Sequence, residues 1–111
     1  MPRRPAPQIP EPTEYVKIGG QSFGIIRAPL IVEDVDGVLL GECRSHENLI
    51  YINNTVPESV QRSSLLHECI HGVSDAFGLD LSEQQVQSLE SALFDMGVRI
   101  KTRKKKNVKK A

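Results

Sequence analysis

Cysteine is scarce in this chain, with two in 111 residues, too few to staple a small secreted domain. Cys43 and Cys69 are read as reduced, packed or incidental thiols. No apolar run approaches the ~18 residues of a membrane span. The N-terminus carries prolines where a signal peptide would need an apolar core. These absences exclude a disulfide-stapled fold and predict no membrane insertion and a cytoplasmic location. Internal repeats are missing too, and 111 residues leave room for one small core but not two. The net charge of zero hides an asymmetry. Residues 101–111, KTRKKKNVKKA, hold 7 of the 14 Lys and Arg and no acid, while the rest keeps 7 bases and all 14 acids.

Five of the seven prolines fall in residues 1–14, predicting an extended, disordered leader. From Tyr15 the pattern alternates around Gly19-Gly20, the signature of a β-hairpin. Short apolar runs broken by Asp36-Gly37 follow, then NLIYIN (48–53), a run of β-branched and aromatic residues that predicts a strand. Pro57 is suited to open a helix, and Gly78 to cap it. Ser82 with Gln85 forms a capping box for a second helix. The stripe of that helix, Val86, Leu89, Leu93, Met96 and Ile100, runs at heptad-like spacing. The expected fold is α+β: a small antiparallel sheet of three to four strands, then an antiparallel two-helix hairpin, over residues 15–100. Residues 101–111 are expected to be a disordered polybasic tail.

The chemistry lies in LLHECIHGVSDAFG (65–78), where His67, Glu68 and His71 stand in the spacing H-E-x-x-H. At i and i+4 on one helix, two imidazoles reach a single metal at ~2.0–2.1 Å. The Glu at i+1 cannot easily join that coordination. It stands beside the open position, where it can take a proton from activated water. A catalytic zinc wants three protein ligands and a water. His46, before a strand, and Asp75, one turn past His71, read as exposed polar residues. Glu83 and Glu90 on the second helix are the serious candidates. A strictly antiparallel hairpin places Glu90 level with the histidines; a steeper crossing or an earlier end to the first helix favours Glu83.

GGQSFGI, LGECRSHENLIYIN and LLHECIHGVSDAFGLDLSEQQVQSLESAL together resemble a group of small phage and prophage proteins with a zincin-like core, related in style to the ImmA/IrrE metallopeptidases. The resemblance spans about residues 15–97. It runs through a hairpin, a Gly-Glu before an I-x-I strand, L-L-H-E-x-x-H and then E-x-x-V-x-x-L. It implies that His67 and His71 bind zinc, that Glu68 is the catalytic acid and base, and that Glu83 is the third ligand.

Two functions from different classes follow. The first is a minimal zinc metallopeptidase of the gluzincin type acting on a protein or peptide substrate. Its Ile50–Asn53 strand would be the sheet edge that pairs with the substrate. With 86 residues left between leader and tail, an elaborate substrate cleft is not expected. The second is a non-catalytic zincin-like binding module for a protein or nucleic-acid-bound partner. Its basic tail would contact phosphates. The intact Glu68 favours the enzyme, since structural zinc has no use for it.

Overall fold

Gly19 and Gly20 both take positive φ, 58° and 81°, as a two-residue hairpin turn requires. They join β1 (Glu14–Ile18) to β2 (Gln21–Ala28) in antiparallel register, with Ile18 opposite Gln21. The computed structural model describes residues 11–30 and 39–104. A second hairpin, β3 (Gly41–Arg44) and β4 (Leu49–Asn53), turns through a short 3₁₀ segment, Ser45–Glu47. Asn48 ends that segment in the left-handed region at φ 54°, a conformation Asn tolerates better than most residues.

The two hairpins join through β2 and β4, which run parallel with Ile25 beside Ile50. The strand order is β3-β4-β2-β1-β5. The fold is therefore α+β, but its sheet is mixed rather than antiparallel and has five strands among the described residues. Turn chemistry dictates the pairing inside each hairpin. It does not say which strands of two separate hairpins meet, and the antiparallel expectation failed there. β4 is consequently an interior strand, and among the described residues β3 is the edge on that side.

Alternation along the strands sets the core. Ile18, Phe23, Ile25, Ile50 and Ile52 leave one face of the sheet and pack against Leu65 and Cys69 of α1 (Glu58–Phe77). Ile25, Ile50 and Ile52 are fully buried, each contributing about 1.5–3 kcal/mol by burial. A second cluster joins Leu66 and Ile70 of α1 to Val86 of α2 (Glu83–Asp95). Pro57 precedes α1, and Gly78 ends it at φ 62°. The Ser82–Gln85 capping box is complete at the start of α2. The heptad-like stripe is cut short, because α2 stops at Asp95 and Gly97 turns the chain at φ 90°. Ile100 is then outside the helix, where it packs against both clusters.

The boundaries expected for leader and tail both shift. Glu14 already belongs to β1, and Arg103–Lys104 form β5, antiparallel to β1. Thr102 Oγ1 donates to Glu14 Oε1 at 2.9 Å. A strongly basic segment with little apolar content can still use its backbone to extend a sheet. Residues 1–10, Asp36-Gly37 and 105–111 lie outside the described residues. Among the described residues no helix is long and apolar enough to cross a membrane.

Glu14 also accepts from Arg27 Nε at 2.6 Å. This bond chiefly, with Thr102 and the positive charges of Arg27 and Lys104 assisting, holds its carboxyl below the ordinary 4.5 despite burial. A depressed carboxylate contributes stability above its unfolded pKa that is lost as pH falls through the folded one. Urea midpoints measured from pH 7 to pH 3 should fall below pH ~4.5 in the wild type. The slope should be shallower in Glu14→Gln. Equal slopes would mean that the Glu14–Arg27 pair contributes nothing to acid unfolding.

Candidate metal centre

A helix advances 100° per residue, and α1 uses the resulting stripes for four different neighbours. Leu65 and Cys69 face the sheet, while Leu66 and Ile70 face α2. His67 and His71 come next around the helix, their ring centroids 5.0 Å apart. Glu68 occupies the remaining quarter, next to β3. A Cβ at Gly41 would stand 3.0 Å from Glu68 Cγ and 3.2 Å from Oε2. The glycine thus leaves the space that the carboxylate fills.

Glu83 and Glu90, the two alternatives for a third ligand, take different positions. Glu83 Oε1 is 2.7 Å from His67 Nε2, and Oε2 is 2.9 Å from His71 Nε2. Glu90 Oε1 lies 2.9 Å from the other nitrogen of the same ring, His67 Nδ1. Its second oxygen accepts from Ser63 Oγ at 2.5 Å. Among the described residues, the set able to hold a metal ion is His67, His71 and Glu83, whose donor atoms all lie within 4.8 Å of one another. Bonds of ~2.0–2.1 Å put tetrahedral donors ~3.4 Å apart, a spacing these side chains reach by small adjustments.

Donor chemistry supports the fit. Carboxylates only accept, yet both nitrogens of His67 face one. With a cation in place of a proton on Nε2, Nδ1–H donates to Glu90, the histidine–carboxylate pairing common around metal sites. The donor set, two imidazoles and a carboxylate, is also one that zinc accepts.

Glu68 stands outside that set and is only 8% exposed. Burial raises its pKa above 4.5, opposed by His67 and His71 and reinforced by Glu83 and Glu42. The cleft around it has a volume of about 900 Å³, bounded by β3, α1 and α2.

The other sequence candidates fall elsewhere. His46 is 82% exposed and lies 3.8 Å from Glu47. Asp75 accepts from Ser45 Oγ at 2.5 Å and lines the far end of the cleft. Burial pushes the Cys69 thiol up to about 12, with Cys43 and Glu68 adding to it, and burial likewise raises Cys43. Neither offers a ready thiolate ligand. Two contributors escaped sequence reasoning. Ser63 stands one turn before His67 on its stripe, a visible signal without an assigned role. Gly41 belongs to the Gly-Glu pair of the resemblance, but its contact with Glu68 depends on how β3 lies against α1, which no local pattern shows.

Compared with protein-family models, with curated proteins and with solved structures, the chain matches none.

Proposed function

We propose that the protein is a zinc-dependent metallopeptidase, with His67, His71 and Glu83 holding the metal and Glu68 as general base and acid. The observation that carries this reading is the division of labour among the glutamates. Glu83 lies against both histidines, whereas Glu68 is outside the donor set and lines the cleft beside β3. Bound there, zinc would supply a Lewis acid that polarises a carbonyl and acidifies water.

The remaining roles belong to the chain itself. Glu68 takes the proton of the attacking water and delivers it to the leaving amine. Glu90 and Ser63 hold the His67 ring in orientation through Nδ1. The outer edge of β3, which pairs with β4 on its other side, offers backbone groups to an extended peptide. The likeness of about residues 15–97 to small phage zincin-like proteins favours the same assignment.

The test is a peptide library incubated with zinc-loaded protein and read by mass spectrometry. Cleavage should appear, stop when a chelator strips the metal, and return with added zinc. A protein that takes up one zinc per chain yet cleaves no peptide would instead be a zincin-shaped binding module.

A further inference from the structure

The sheet edge opposite the cleft is cationic, and its residues have no part in the peptidase reading. Tyr15 and Arg103 are direct partners across β1 and β5, so their side chains leave the sheet on the same face. Lys17, two residues along β1, shares that face. These three, with Val16, Lys101 and Ser22, line a depression of about 240 Å³ that no acid borders. Lys17, Lys101 and Arg103 are exposed. Among the described residues the cationic side chains in ion pairs are those of Arg27, Arg44, Arg62 and the histidines, and Lys17, Lys101 and Arg103 are in none. The chain then continues with Lys105, Lys106, Lys109 and Lys110 and no acid.

We propose that this edge binds the sugar–phosphate backbone of a single-stranded nucleic acid. Lys17, Lys101 and Arg103 contact phosphates, and Tyr15 offers a ring for base stacking. A basic groove beside an aromatic ring is the combination that sequence-tolerant single-strand binding uses. A membrane surface would call for apolar side chains to insert next to the charge. The depression instead has Tyr15 and Val16, both only half-exposed, and Ser22 between its cations. Pairing with β1 matters because it turns part of a basic run into a fixed platform. β5 and β3 occupy opposite ends of the sheet, four strand spacings or ~19 Å apart. A nucleic acid and a peptide could therefore be held at once, and this surface stands or falls independently of the cleft.

Full-length protein titrated into a fluorescein-labelled 20-nucleotide oligothymidylate, followed by anisotropy from 50 to 200 mM NaCl, tests the proposal. Each phosphate contact on a single strand adds ~0.7 to the log–log salt slope. K17Q alone should lower the slope by ~0.7, and K17Q/K101Q/R103Q by ~2. Tyr15→Leu should weaken binding roughly 5- to 150-fold with the slope unchanged, since stacking is uncharged. A chain ending at Lys104 should bind more weakly yet remain sensitive to K17Q. Unchanged slopes in both lysine variants would assign all binding to the residues after 104 and overturn the platform. Retention on vesicles containing phosphatidylserine, with none on the oligonucleotide, would overturn the choice of nucleic acid.

Discussion

Glu68→Gln should lose peptide hydrolysis by 10²- to 10⁴-fold, the usual worth of a positioned general base. It should keep its full complement of zinc. The amide retains the shape that fits against Gly41 and removes the atom able to take a proton. Melting temperature should not fall, because burial disfavours the ionised carboxylate and raises its pKa. An uncharged replacement relieves that cost. Elemental analysis, a melting curve and the peptide assay on one preparation separate the outcomes. A mutant that loses zinc along with activity would make Glu68 a ligand, and one that keeps its activity would remove it from the chemistry.

His71→Ala should abolish stoichiometric zinc binding. For the wild type, zinc at a hundredfold excess over its Kd adds ~2.7 kcal/mol to the native state, a rise on the order of 10 °C in Tm. The mutant should show no rise. Glu83→Gln and Glu90→Gln give a graded comparison. Losing a ligand at Glu83 should weaken affinity by more than a hundredfold. Losing the Nδ1 partner at Glu90 should weaken it by about 10- to 100-fold, as for outer-shell partners elsewhere. Competition with a chromogenic chelator resolves this range. The reverse order would mean that Glu90 is the ligand and Glu83 the support.

The legible parts of this fold are those governed by local chemistry. Gly19-Gly20 gave the first turn, the bounds of α1 followed from Pro57 and Gly78, and Ser82 with Gln85 marked the start of α2. His67, Glu68 and His71 follow from the helical repeat alone. What escaped depends on contacts between distant segments. No local rule places β2 beside β4 in parallel, makes β3 the edge, or sends Arg103 back to β1. The choice between Glu83 and Glu90 was of the same kind, since it rests on how α2 lies against α1. Simple level-matching in an antiparallel hairpin picked Glu90, which does reach His67, but through Nδ1. Both acids lie against the same ring from different sides.

Pairing of Glu14 with Lys104 bears on the order in which the chain folds. Closing a loop of about 90 residues costs ~4 kcal/mol in chain entropy, while the β1–β2 turn spans two residues. The two-residue β5 ladder should therefore form late, after the sheet and helices have brought residues 14 and 104 together. Until then β1 is an open edge, with backbone donors and acceptors able to recruit another chain. The short closing strand covers part of that edge, so a molecule without residues 103–104 should be more prone to self-association even where its core is intact.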